Sequence, residues 1–198
     1  VLLVAHPSQP VNTAKEFLAA VKAKPTAYNY STSGTGGVPH LTGEILQKQE
    51  GITMQHVPYK GGGPAMTDLL GGNITAIFAS TPTAVPLIQG GKLRPIAVTS
   101  PKRTSGLPNV PTVAEQGYPG YQALNWYAFV APPKVPPAII DKLNQAITAT
   151  LKDPGTVERL RQVDLDAAPS TPQELLVFVK LENDKWAKII KSINLSEK

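Results

Sequence analysis

The 198 residues suffice for one large domain or two small lobes, and 41% hydrophobic with 17% charged content is that of a folded globular protein rather than a disordered one. The chain has no cysteine, which excludes disulfides, thiolate metal sites and a cysteine nucleophile while leaving the compartment open. Its formal charge of +5 is spread along the whole sequence without a basic run or interleaved aromatics, the pattern of a solvated surface and not of nucleic-acid binding.

Val1 to Ala5, VLLVA, reads as a buried strand, and an opening in mid-strand without methionine leads us to expect a processed or incomplete part of a longer polypeptide. Thr13 and Glu16 have the spacing of a capping box, Ala14, Phe17, Leu18 and Val21 share one face of the helix that follows, and Pro25 stops it. Tyr28, Tyr30 and Thr32 predict a half-buried strand, Ser33 to Gly37 a turn, and Val38, Pro39, Leu41, Ile45 and Leu46 a helix ending at Gly51. Met54 to Tyr59 predicts a short strand, with Pro58 marking an edge or its end. A second glycine loop, Lys60 to Gly63, opens a helix with Pro64 in its first position, Ala65, Met66, Leu69 and Leu70 on its apolar face and Gly71 with Gly72 at its end. Ala76 to Ala79 follows as a strand, Ser80, Thr81 and Pro82 as a loop, then a short helix to Gly90 or Gly91. Strand, loop and helix repeated in this way predict a parallel α/β sheet with its loops gathered at the ligand-binding end.

Leu93 to Thr99 predicts a further strand that starts at an edge. The proline- and glycine-rich stretch from Pro101 to Gly120 fits a lobe boundary or a surface loop with a packing role, holding one short helix around Val113 to Gln116. Asn125 to Ala131 resumes strand character. From Pro136 on the chain reads as mostly helical, with one short strand near Leu165. Ile139, Ile140, Leu143, Ile147 and Leu151 recur at helical spacing, and Asp153 with Pro154 opens a helix carrying Val157 and Leu160. Thr171, Pro172 and Glu174 open a long terminal helix expected to bury Leu175, Phe178, Val179, Trp186, Ile189 and Ile193. No apolar run reaches membrane-spanning length, so direct membrane insertion is not expected.

The stretch from Tyr28 to Leu41 carries the strongest functional signal. A strand, a glycine loop and a helix N-terminus place unpaired amides and the positive end of a helix dipole where an anion can approach the backbone. The same stretch also fits a connection that merely turns the chain. A dinucleotide fingerprint would need a third glycine where Pro39 stands, and no glycine loop is followed by the Lys-Ser or Lys-Thr pair of a P-loop. His6, His40 and His56 lack zinc-motif spacing. His40, on the first turn of the helix, suits a ligand contact or a local backbone cap, and His56 suits a structural role. Ser33 lies in no nucleophile elbow, and Glu44 and Asp68 read as solvated or capping groups rather than as an acid and base. Hydroxyls, glycine amides and Lys60 hold an anion well but transfer protons poorly near neutral pH.

SGTGGVPHL, HVPYKGGGPAMTDLLGG, GGKLRPIAVTS and LPNVPTVAEQGYPGY with NWYAFVAP stand in an order and at a spacing that resemble one family. It is the substrate-receptor family of the tripartite tricarboxylate transporters, the TctC or Bug proteins of the bacterial periplasm. The resemblance implies a periplasmic-binding-protein type II-like α/β fold with two lobes joined by crossing strands. It implies closure on a small carboxylate, held by backbone amides, hydroxyls and ordered water and presented to the transporter's membrane components. Carried over by position, ligand contacts fall on Ser33, Gly34, Thr35, Gly36 and Gly37, on Tyr59, Lys60 and Gly61, and on Ser80 and Thr81, with His40 a further candidate. Trp126 would close one side of the cleft or serve as lobe core.

Two departures from the family stand out. Gly37 occupies a position where the family usually has serine, and the family's N-terminal third has no counterpart here. The expected division is therefore a second lobe over 1–124 carrying the site, and over 125–198 the C-terminal part of an incomplete first lobe. The function expected is periplasmic reception of a dicarboxylate, tricarboxylate or acidic amino acid, with no catalytic residue, cofactor or metal. The alternatives are a hydrolase or phosphate-ester enzyme using the glycine loops, and a ligand-free sensor or interaction module of the same fold.

Overall fold

The computed structural model describes residues 1–192, so Ile193 lies outside the described residues. The chain divides into two compact units, Val1–Asn125 and Trp126–Lys198. In the first, strands β1 (Leu2–Ala5), β2 (Asn29–Thr32), β3 (Gln55–Pro58), β4 (Ala76–Ala79) and β5 (Arg94–Val98) form one sheet in the order β3-β2-β4-β1-β5. Helices α1 (Ala14–Ala23), α2 (Val38–Glu50), α3 (Gly62–Leu70) and α4 (Thr81–Gln89) cover it. Alternate side chains of a strand point to opposite faces, and β1 shows the consequence. Leu3 and Ala5 join Phe17 and Leu18 of α1 and Leu46 of α2 in one core. Leu2 and Val4 join Ala65, Met66 and Leu69 of α3 and Ala84 and Val85 of α4 in the other. The result is a sheet between two helical layers.

Several expectations need correction in this unit. The sheet is mixed: β2 is parallel to β3 and β4, but β1 runs antiparallel between β4 and β5. A continuous apolar run reveals that both faces of a strand are covered and carries no information on its direction. β2 is buried on both faces rather than half-buried, with Tyr30 and Ser31 both 0% exposed, because it lies between β3 and β4 under helices on both sides. Helix α3 starts at Gly62, ahead of Pro64, and leaves Leu70 exposed. Helix α4 starts at Thr81 with Ser80 as its N-cap, so Thr81 and Pro82 belong to the helix.

The stretch from Pro101 to Gly120 is a packed surface loop. Leu107, Val110 and Val113 are buried, and Val98 exchanges backbone hydrogen bonds with Pro111 (3.0 Å) and Val113 (2.9 Å).

The second unit contains α5 (Pro137–Lys152), α6 (Pro154–Gln162) and α7 (Pro172–Ser192). Asp153 caps α6 by accepting from the Thr156 amide at 2.8 Å. Thr171 and Glu174 form a reciprocal box at the start of α7, with bonds of 3.2 and 2.8 Å. No strand forms over 125–131 or near Leu165. A strand exists only as a member of a ladder, and no described segment forms one with either stretch. The expected burial along α7 is likewise not met: Leu175, Trp186 and Ile189 are partly buried, and Phe178 and Val179 exposed. Trp126 packs edge-to-face on Phe178 with ring centroids 5.2 Å apart. Among the described residues every buried hydrophobic side chain lies between Val1 and Ala123. No described helix is long and apolar enough to cross a membrane.

Candidate functional site

Because β2, β3 and β4 are parallel neighbours, their C-terminal residues Thr32, Pro58 and Ala79 lie at one edge of the sheet. Each strand feeds a short loop and then a helix, so the N-termini of α2, α3 and α4 gather there. Backbone bonds join the first two loops: the Tyr59 amide donates to the Thr32 carbonyl and the Gly61 amide to the Ser33 carbonyl, each at 3.1 Å. The first turns of α3 and α4 approach each other, since a Cβ added at Gly62 would stand 3.3 Å from Thr83 Cγ2. Ser33 to Gly37, Tyr59 to Gly61, and Ser80 with Thr81 are thus brought to one edge.

The three helix starts share a second property. Gly37, Gly61 and Ser80 make no side-chain capping bond, whereas α1, α6 and α7 are capped by Thr13, Asp153 and Thr171. Helix α5, which follows Pro136, also lacks a side-chain cap. An α-helix cannot satisfy all of its own first-turn amides, so α2 and α3 present theirs to whatever occupies this edge, whereas at α4 Pro82 has no amide hydrogen and the Thr83 amide donates to the Ser80 carbonyl at 3.2 Å. Gly36 (φ 80°) and Gly61 (φ 113°) adopt backbone conformations that disfavour a side chain. The hydroxyl-bearing Ser33 and Thr35 and the cationic Lys60 are exposed, and Lys60 forms no ion pair among the described residues.

Beneath the first loop lies a stack of three rings. His56 sits between Tyr30 and His40, with centroids 4.8 and 4.1 Å away. The Gly36 amide donates to His40 Nδ1 at 3.0 Å, so the buried His40 serves as a local cap of the loop. Thr32 Oγ1 donates to the Gly34 carbonyl and lies 2.7 Å from His56 Nε2. With the threonine proton committed, His56 Nε2–H is the donor to Thr32. Burial depresses both imidazoles, His56 to about 4, where the nearby His40 also disfavours its charge. Tyr30 donates to Glu44 at 2.6 Å, and burial with that bond raises its phenol well above the ordinary value.

Tyr59 turns its phenol to Asp68, and that hydrogen bond pushes its pKa up to about 12. At the loop, Tyr59 therefore contributes backbone. Reading residue types did not single out Thr32, Thr83 or the Tyr30–Glu44 bond. Tyr30 and His56 are ladder neighbours, a relation visible only once the parallel register is known. Among the described residues no group of three or more His, Cys, Asp or Glu is placed to hold a metal.

Comparison with known proteins identifies the family. The family model described as the tripartite tricarboxylate transporter family receptor, TctC, matches residues 1–195. BugT of Bordetella pertussis is 33% identical over 190 residues, covering 96% of this chain and 58% of BugT. A structure of R. palustris Rpa4515 with adipate superposes with a TM-score of 0.94 at 31% identity, covering 98% of this chain and 64% of that one. MatC from Rhodopseudomonas palustris with bound malate superposes at 0.81 with 27% identity, covering 96% of this chain and 65% of that one. The chain thus spans somewhat over half the length of such relatives, and it belongs to the tripartite tricarboxylate transporter family of receptors.

Proposed function

We propose that the chain is the larger part of a periplasmic solute receptor that captures a small carboxylate, for delivery to the membrane components of a tripartite tricarboxylate transporter, without catalysis. The observation that carries this reading is the convergence of three side-chain-uncapped helix N-termini at one sheet edge. Anions near a helix N-terminus gain about 0.3–1 kcal/mol each, more when partly buried, and the amides replace hydrogen bonds that a carboxylate loses on leaving water. Lys60 adds a charge, and Ser33, Thr35, Ser80 and Thr81 add hydroxyls.

Adipate and malate in the related structures support a dicarboxylate. A second lobe closing over the same anion would complete its shell, the ligand favouring the closed state because it touches both lobes only there. The test is thermal unfolding of the chain with adipate, malate, citrate, glutamate and, as a cationic control, lysine. A ligand confined to the folded state raises the midpoint with concentration, as expected for at least one acid and not for lysine. No shift with any acid would reject the reading.

A further inference from the structure

The hydrogen bonds around His40 fix its protonation state through geometry. An amide can only donate, so the 3.0 Å bond from Gly36 makes His40 Nδ1 an acceptor and leaves the ring proton on Nε2. A second proton has one place to go, Nδ1, and there it meets the Gly36 N–H head on. Gly36, at φ 80°, is the residue on which the first glycine loop turns before α2. We propose that His40 is a positioning residue for the glycine loop, holding Gly36 in place only as the neutral imidazole, so that acidification frees the loop and weakens the grip on an anion.

The surroundings favour a switch rather than a passive prop. Facing the imidazole are Glu44, one turn along α2 with Oε1 3.7 Å from Nε2, and His56 of β3, stacked at 4.1 Å; Tyr30 of β2 lies beyond His56, stacking on it and donating to Glu44. The Tyr121 phenol donates to the Thr42 carbonyl of the same helix. Glu44 draws a proton towards His40, and burial opposes it and prevails. With the folded value held below the unfolded one, the neutral form persists through the ordinary histidine range; its contribution to stability is full above the unfolded value and is lost as pH falls through the folded value. Burial resists protonation of both imidazoles, and a proton that reaches His40 lands where it breaks a loop bond.

The anion-release half of this inference rests on the receptor reading, and the loop half does not. The test follows the Gly36 amide and the histidine rings by NMR in the 198-residue chain between about pH 7.5 and pH 4, without ligand and then with adipate. Variants His40→Asn, whose Oδ1 accepts from Gly36 but cannot titrate, and His40→Phe, which keeps a stacking ring and removes the acceptor, are compared with the parent. In the parent chain the Gly36 amide should move and lose exchange protection with the same midpoint as His40. In His40→Asn it should stay fixed to acid, and in His40→Phe it should be unprotected at every pH. Adipate affinity should fall about ten-fold more in the parent than in His40→Asn over this range, after allowance for adipate's own ionisation. Should Gly36 stay protected while His40 titrates, or should parent and His40→Asn share one acid profile, the inference is overturned. Failure of adipate and every other acid to bind, with the Gly36 titration as described, removes the receptor reading alone.

Discussion

Gly36 and Gly37 are adjacent glycines with opposite requirements. Gly36 has φ 80°, where a side chain costs about 1–2 kcal/mol, whereas Gly37 sits at φ −73° as the N-cap of α2. A Cβ at Gly37 would meet only Pro39 Cδ, at 3.7 Å. Chemical denaturation should therefore show Gly37→Ser within a few tenths of a kcal/mol of the parent, since serine is a good N-cap, and Gly36→Ser lower by about 1–2 kcal/mol. Equal losses would show that the loop does not hold this backbone. Composition alone placed both residues in one small-residue turn and left this difference hidden, because it depends on backbone angles. His40 illustrates the same limit: its place on the first helical turn was legible, but which group its ring would serve was not.

At the scale of elements, α2 approaches β2 through Gly43. A Cβ there would stand 2.7 Å from Tyr30 Cε2 and 3.2 Å from Phe78 Cε2. The Tyr30 ring cannot readily yield, being held by Glu44 at its hydroxyl and by His56 on its face. Gly43→Ala should cost about 1–3 kcal/mol despite alanine's better helix propensity, measured by denaturant unfolding, and a gain in stability would contradict this packing. Short signals did best at this scale. The Thr13 cap, the Gly51 stop and the Asp153 cap are written in neighbouring residues and form as read, except that the Glu16 carboxylate closes on the Asn12 amide at 2.7 Å and not on that of Thr13. Non-local properties were not legible: β1 reads as buried but not as antiparallel, and Asn125 to Ala131 has strand composition without a ladder to join.

At the scale of the molecule, the asymmetry of burial makes its own prediction. Buried hydrophobic side chains run from Val1 to Ala123, and among the described residues beyond Asn125 there are none. A fragment of residues 1–125 should unfold in one cooperative transition, as a chain with its own sheet and two cores does, while 126–198 alone should show helical signal lost gradually on heating. A cooperative transition in the second fragment, or none in the first, would refute this. The placement of the glycine loops at one sheet edge was legible from the repeated strand, loop and helix. That α2 and α3 lack side-chain caps follows from glycine at both N-caps, but that Ser80 does not cap α4 was not legible, since its hydroxyl lies 3.2 Å from the Thr83 hydroxyl instead.

The central claim is that these three helix starts together receive a carboxylate, and amide NMR tests it most directly. On titration with adipate, the account predicts saturable shifts concentrated in the amides of Thr35 to Val38, His40 and Lys60 to Gly63, with the capped start of α1 unmoved. Saturable shifts elsewhere with these amides silent would contradict it.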